Sequence, residues 1–294
     1  METREPVRAG SFYPAGAKAC AEQVDAFTEG PASPVADPLG GIAPHAGWVF
    51  SGPTAGKLFK ALKDSGEPFS SFLFFGAVHA AFLEGAALYP GGAWRTPLGE
   101  VKVDEALNRA LLEKGDGLIG ADGEAHRAEH SVEVLVPFVQ RLFPEASIAV
   151  VATPPFPRAP EAGRAAAEAI RSLGRSVAVV ASTDLTHYGR SFYGFAPKGT
   201  GEEALRWVKE ENDARVIEKF TALDPEGILQ EAASHHNACG AGAAAAAAAC
   251  ARGLGAKRGV LLEYTTSHDV RPSGPPTDFV GYASVAFEGG GRDA

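Results

Sequence analysis

Short unbroken apolar runs alternate with amphipathic helical segments along the chain, and this alternation constrains the fold more than any other feature of its 294 residues. An apolar run without polar alternation is typical of a strand that is covered on both faces. Runs of this kind, predicted as buried parallel strands, occupy residues 41–43, 71–76, 147–152, 176–181, 260–264 and 280–287. Helical patterns occupy residues 15–29, 52–63, 128–142, 164–173, 202–220 and 239–252. We therefore expect an α/β fold with a mainly parallel central sheet and helices on both faces.

The chain shows no internal repeat and no linker longer than a loop. Its Pro-rich stretches, at 153–160 and 271–277, are short enough to be surface loops. We therefore predict one domain that covers residues 1–294.

Charge and composition exclude several classes of partner. The 27 Lys and Arg residues against 36 Asp and Glu give a net charge of −9, and no basic tract is present, which argues against nucleic acid or an anionic membrane. The N-terminus lacks the apolar core of a signal peptide, and no apolar stretch reaches the roughly 18 residues of a membrane span. The three cysteines are too few and odd in number for a disulfide framework. These features predict a cytoplasmic protein with no nucleic-acid or membrane partner.

The glycine-containing motifs of several large enzyme classes are missing from the sequence. There is no Gly-x-Gly-x-x-Gly between a strand and a helix, no phosphate loop that ends in Gly-Lys-Ser/Thr, and no Gly-x-Ser-x-Gly elbow. These absences argue against the common dehydrogenases, kinases and serine hydrolases.

Three histidines stand just beyond predicted strands, where open α/β sheets carry their chemistry. His45, His79 and His187 each follow a different apolar run. They could converge on one point, or each could be a loop histidine satisfied by backbone hydrogen bonds. Asp184, three residues before His187, could fix the tautomer of that imidazole and raise its basicity, or could cap a turn. No Arg or Lys accompanies these histidines, which argues against a phosphate pocket.

Cys239 lies at the predicted start of the Ala-rich helix 239–252. A helix N-terminus favours the thiolate, the form that binds metals or acts as a nucleophile. The alternative is a small buried residue packed under glycine. Cys20 and Cys250 lie within predicted helices and are interpreted as structural.

A second histidine group opens the predicted helix 128–142 and comprises His126, Glu129, His130 and Glu133. Residues four apart share a helix face, so a metal site is one interpretation of this spacing. A solvated helix start with capping acids is the other. His268 follows a later apolar run and is a further candidate for the pocket.

Ordered phrases along nearly the whole chain carry a resemblance to a known family. They are RAGSFYP at 8–14, APHAGW at 43–48, SGP at 51–53, WRTPLG at 94–99, EHS at 129–131, STDLTHY at 182–188, CG at 239–240, YTTS at 264–267 and VGY at 280–282. With these phrases the chain resembles the Memo family, protein B of the AmmeMemoRadiSam system. It departs from the family pattern in the residues before His79 and at Leu135, and neither departure removes a candidate ligand.

The resemblance implies a fold like that of class III extradiol dioxygenases and a metal pocket formed by His45, His79 and Cys239. It also implies that His187 is the acid/base residue, with Asp184 as its orienting partner. A pathway link to a radical-SAM protein and an AMMECR1-like protein follows from the same resemblance.

A thiolate in place of the dioxygenase carboxylate suits Fe(II), with Cu or Zn as alternatives. We therefore expect a non-haem iron-dependent, dioxygenase-like redox enzyme that acts on an unknown small molecule, peptide or modified residue. A zinc-dependent hydrolase and a non-enzymatic module that binds a peptide or partner on a vestigial dioxygenase site are the two alternatives.

Overall fold

The computed structural model of the chain describes residues 3–31 and 34–290. The strands are β1 (Thr3–Arg4), β2 (Pro38–Ala43), β3 (Ser71–Gly76), β4 (Ala86–Leu88), β5 (Ala93–Thr96), β6 (Gly99–Lys102), β7 (Ile119–Ala121), β8 (Ser147–Ala152), β9 (Val177–Ser182), β10 (His187–Tyr188), β11 (Arg258–Thr266) and β12 (Phe279–Glu288). The helices are α1 (Ala17–Phe27), α2 (Trp48–Asp64), α3 (Glu105–Gly115), α4 (Glu124–Arg127), α5 (Val136–Leu142), α6 (Ala159–Leu173), α7 (Glu202–Trp207), α8 (Asp213–Ala222), α9 (Pro225–His235), α10 (Ala241–Leu254) and α11 (Ser267–Val270). A π-helical turn, Val208–Asn212, joins α7 to α8. None of the helices in this described part is long and apolar enough to cross a membrane.

A large mixed sheet forms the centre of the molecule. Its described strands follow the order β10-β12-β2-β9-β3-β8-β4-β7, with β11 paired to β12, while β1, β5 and β6 form a separate small sheet. The four central strands β2, β9, β3 and β8 are parallel. The predicted α/β fold with a parallel sheet at its centre is therefore confirmed. The last two predicted strands are β11 and β12, and the prediction of parallel pairing is wrong for both. β12 runs antiparallel to β2, and β11, which runs in the direction of β2, pairs antiparallel with β12.

Helices cover both faces of this sheet, as its apolar strands require. Along β3, Phe72 and Phe74 belong to the core under α1, α2 and α5, whereas Leu73 and Phe75 belong to the core under α3, α6 and α10. All four side chains are fully buried. Burial on both faces explains why the strands appear in the sequence as continuous apolar runs.

The Ala-rich helix α10 packs closely against α6. A Cβ added to Gly163 of α6 would lie 2.0 Å from the carbonyl oxygen of Ala246 in α10. The small side chains of α10 are buried from Ala241 to Ala251 and allow this approach. The packing fixes the start of α10 near the carboxyl ends of the central strands.

The single helix predicted over residues 128–142 is wrong in its first half. Turns occupy this segment up to residue 135, and only α5 is helical. The Glu129 side chain accepts hydrogen bonds from the backbone N–H groups of His130 and Ser131, at 2.8 and 2.9 Å. Side-chain acceptors of this kind compete with helical hydrogen bonds, which accounts for the break.

Candidate metal centre

The carboxyl ends of three neighbouring parallel strands bring predicted site residues to one edge of the sheet. His45 follows β2, His79 follows β3 and Asp184 follows β9. The rings of His45 and His79 lie 5.1 Å apart, centroid to centroid. Cys239 arrives from the turn before α10, and its backbone N–H donates to the carbonyl oxygen of Asp184 at 3.2 Å. The structure therefore gathers these four residues into one site.

His45 is fixed in one tautomer by the hydroxyl of Ser182. Its Nδ1 lies 2.8 Å from Ser182 Oγ, and that hydroxyl donates to the carbonyl oxygen of Ser131 at 2.6 Å. The Ser182 hydroxyl uses its only proton in that bond, so its oxygen accepts a hydrogen bond from His45 Nδ1–H. His45 Nε2 is therefore unprotonated and keeps its lone pair. Nε2 lies 3.3 Å from Cys239 Sγ. Burial, reinforced by the neighbouring His79, holds the pKa of His45 well below its usual value, so the ring is neutral.

Glu129 orients the second histidine. Its carboxylate accepts the backbone N–H of His79 at 2.6 Å and lies 3.1 Å from His79 Nδ1. Burial opposes protonation of His79, but the hydrogen bond and charge of Glu129 outweigh it and raise the pKa of the imidazole. The pKa of Glu129 is held low in return, since the His79 contacts outweigh the burial of the carboxylate. A carboxylate on Nδ1 leaves the other ring nitrogen of His79 available to a metal.

His130 completes a cluster of three histidines. Its ring lies 5.7 Å from the His45 ring and 5.0 Å from the His79 ring. One ligand nitrogen from each of the three histidines lies within 4.8 Å of the others. Burial, and then the nearby His45, lower the pKa of His130 to about 4. The sequence left His130 between a metal site and a solvated helix start, and its half-buried position beside His45 and His79 favours the metal site.

Cys239 belongs to the same site, but its thiol is not activated by a helix N-terminus. The residue precedes Gly240, the N-cap of α10, and Sγ accepts a hydrogen bond from the Asp184 backbone N–H at 3.3 Å. Burial and the nearby Asp184 carboxylate raise the pKa of the thiol above its usual range. Desolvation therefore opposes the thiolate form that a helix N-terminus favours.

Asp184 contacts His45 and not His187. The Asp184 carboxylate accepts the His45 backbone N–H at 2.7 Å, and its second oxygen lies 4.0 Å from His45 Nε2. The Nδ1–H of His187 donates to the Leu185 carbonyl at 3.0 Å, which leaves its Nε2 free, and no ion pair joins His187 to Asp184 within the described residues. The ring of Tyr193 lies edge-on at 5.1 Å from that of His187.

Comparison with known proteins assigns the family. A family model described as Memo-like protein matches residues 4–286. The chain belongs to the Memo family. MEMO1 family proteins of Pyrococcus horikoshii and Thermococcus kodakarensis are each 38% identical to it, over 97% of this chain and 99% of the relative. The MEMO1 family protein of Methanopyrus kandleri is 36% identical over 98% of this chain and 99% of the relative. A solved structure of an uncharacterized protein from Escherichia coli K12 aligns with a TM-score of 0.47 and 14% identity, and covers 78% of this chain and 92% of that one.

In this Memo family chain a buried acid supports the loop that carries Asp184 and His187. Asp213 is fully buried, and its carboxylate accepts the Thr186 backbone N–H at 3.0 Å and the Tyr264 hydroxyl at 2.8 Å. Burial outweighs these hydrogen bonds and raises the pKa of Asp213 to about 6. The backbone of this loop is therefore held by a hydrogen bond to the buried Asp213 carboxyl, whose pKa is about 6.

Proposed function

We propose that this Memo family chain is a metal-dependent redox enzyme with non-haem iron as its metal, acting on a small molecule or a modified residue. The observation that carries the proposal is the cluster of His45, His79 and His130, whose ligand nitrogens lie within 4.8 Å of one another, with Cys239 Sγ 3.3 Å from His45 Nε2. In the proposal His45, His79 and Cys239 hold the metal, and His130 is a candidate fourth donor.

The chemistry of the donor atoms supports this assignment. Imidazole nitrogen and thiolate sulfur suit iron, copper(I) and zinc rather than magnesium or calcium. The far sides of the two strand-end imidazoles are occupied by Ser182 and Glu129, an arrangement typical of histidines that bind metals. His45 Nε2 has no hydrogen-bond partner except Cys239 Sγ among residues 3–31 and 34–290.

The protein's own residues would perform distinct tasks. Cys239 would hold the metal as a thiolate, so its thiol would give up its proton when the metal is bound. His187, whose Nδ1–H is committed to a carbonyl, presents Nε2 as the acid/base group. Asp184 positions His45 through the backbone. Bound iron would supply one-electron chemistry to the substrate or to oxygen.

Metal analysis of anaerobically purified protein tests the proposal. We expect about one equivalent of iron in the wild type and loss of most of it in His45→Ala and Cys239→Ala. Cys250→Ala and His236→Asn are matched controls, because Cys250 is buried within α10 and His236 is exposed, and both should retain metal. Asn suits the left-handed backbone of His236, which has φ 51°.

Cobalt(II) substitution separates the possible third ligands. We expect a sulfur-to-cobalt charge-transfer band in the wild type that disappears in Cys239→Ser and persists in His130→Ala. An unchanged metal content and spectrum in the Cys239 variants would exclude the thiol as a ligand. One equivalent of zinc with hydrolytic turnover would favour the zinc-hydrolase alternative. Absence of any metal, with intact binding of a peptide or partner, would favour the non-enzymatic alternative.

A further inference from the structure

The N-terminal segment supplies a cation that the proposed chemistry does not use. The backbone of Arg8 is fixed on both sides, because its N–H donates to the Glu133 carboxylate at 2.7 Å and its carbonyl accepts the N–H groups of Ser11 and Phe12. Glu133 is fully buried, so this anchor lies within the core. The start of the Arg8 side chain is therefore defined by the fold.

The Arg8 guanidinium packs on the ring of Phe12, which in turn meets His130 of the candidate metal centre edge-on. The guanidinium carbon lies 5.0 Å from the Phe12 ring centroid, and the Phe12 ring lies 5.1 Å from the ring of His130. These two contacts place the guanidinium at most about 10 Å from His130.

The guanidinium of Arg8 has an unused donor. Its Nε is buried and has no hydrogen-bond partner, and no ion pair is formed by the side chain in the described part of the chain. The Glu133 carboxylate, which accepts the Arg8 backbone N–H, is already paired with Arg4. A buried donor without an acceptor costs about 1–3 kcal/mol, so an acceptor that bound at Arg8 Nε would recover part of that cost.

We propose that Arg8 binds the carboxylate of a small organic acid, and so defines the substrate class of the proposed enzyme. The inference rests on the proposed function, since it places the carboxylate at Arg8 and the reacting part of the molecule at the metal centre. A planar guanidinium binds a carboxylate through two parallel hydrogen bonds. The limit of about 10 Å between Arg8 and His130 restricts the substrate to about the size of one ring with short substituents.

The strand-end histidines have no Arg or Lys near them in sequence, which argued against a phosphate pocket, and a carboxylate subsite at Arg8 leaves that expectation unchanged. Arg8 reaches the site from the opposite end of the chain through its contact with Glu133. A single guanidinium can form two parallel hydrogen bonds with a monoanionic carboxylate, which favours that ligand over a phosphate dianion.

Calorimetric titration with benzoate, benzamide and inorganic phosphate tests the proposal. We expect benzoate to bind the wild type at least tenfold more tightly than either other probe. Arg8→Gln should weaken benzoate binding by about 10–100-fold, as expected for a lost hydrogen bond to a charged group, and Arg8→Lys should weaken it less. Arg109→Gln is the matched control, because that arginine is 74% exposed on α3 and should leave binding unchanged.

Two further readouts separate this proposal from the metal assignment and from misfolding. Arg8→Gln should keep its metal, so lost benzoate binding with normal metal content indicates the subsite alone. In the wild type, the Arg8 Nε–H resonance, assigned by its absence in Arg8→Lys, should shift when benzoate is added. Equal affinity for benzoate and benzamide, preference for phosphate, or no loss in Arg8→Gln would overturn the carboxylate subsite. Benzoate binding through Arg8 to a protein that never binds metal would refute the proposed enzyme and leave an acid-binding site.

Discussion

The buried carboxyl of Asp213 makes a defined contribution to the pH dependence of stability. Its pKa is raised from 3.8 to about 6, because burial disfavours the carboxylate more than Thr186 and Tyr264 stabilise it. The folded protein therefore holds this proton more tightly than the unfolded chain does. The free energy of unfolding contributed by Asp213 is greatest below about pH 4, and it falls as the pH rises to about 6. A shift of about two pKa units corresponds to about 3 kcal/mol.

Asp213→Asn removes this titration and keeps the shape of the side chain. The amide oxygen can still accept from Thr186, and the amide nitrogen can donate to the Tyr264 hydroxyl. We expect the free energy of unfolding of the variant, relative to that of the wild type, to increase by about 3 kcal/mol between pH 4 and pH 7, which means that the variant becomes relatively more stable. Urea denaturation at closely spaced pH values measures this difference directly.

Asp104→Asn is the matched control and should show the opposite sign. Burial of Asp104 is outweighed by its hydrogen bond to Arg175, so the pKa of this carboxyl is lowered and its stabilisation is present at neutral pH and lost in acid. The Asp104 variant should therefore lose stability relative to the wild type as the pH rises. If the Asp213 difference stayed constant from pH 4 to pH 7, a raised pKa at this position would be refuted.

Three further substitutions test a hydrogen bond to His45, a buried ion pair and the contact between α6 and α10. Ser182→Ala removes the acceptor that fixes the His45 tautomer, and we expect metal affinity, measured by chelator competition, to fall about 10–100-fold. Glu133→Ala leaves its buried partner Arg4 without a counter-charge and should lower the free energy of unfolding in urea by about 3–5 kcal/mol. An effect below about 1 kcal/mol would contradict the burial of the Arg4–Glu133 pair. Gly163→Ala forces α6 away from α10 and should lower the free energy of unfolding by about 1–3 kcal/mol in the same assay. Gly120→Ala is its control, because a Cβ at that position meets nothing within 4 Å, and it should change the free energy of unfolding by less than about 0.5 kcal/mol.

The strand-end part of the site could be predicted because it depends on strand direction alone. His45, His79 and Asp184 follow parallel strands, and the carboxyl ends of parallel strands share one edge whatever their lateral order. The sequence did not specify that β9 lies between β2 and β3, and the prediction did not need it. Apolar periodicity carries no information about direction, which is why the antiparallel pairing of β12 with β2 and β11 was missed.

The remaining site residues come from segments that no strand rule covers. Arg8 belongs to a turn held by a long-range contact with Glu133, and such contacts leave no local pattern in the sequence. His130 was visible in the phrase His-x-x-Glu-His, but the helical periodicity of 128–142 placed it on a regular helix. The buried hydrogen bonds of Glu129 override that periodicity, which only the folded environment reveals.

The broken helix before α5 has a consequence for the whole candidate centre. Within the turn 129–131, Glu129 fixes the ring and backbone of His79, while the Ser131 carbonyl accepts the Ser182 hydroxyl that sets the tautomer of His45. One short segment therefore orients two histidines from different strands and also carries the third. A regular helix here would use these backbone groups in its own hydrogen bonds and leave the imidazoles without fixed partners. The local loss of helical structure is thus the condition that lets the three imidazoles keep one arrangement, because each depends on hydrogen bonds made by the same turn.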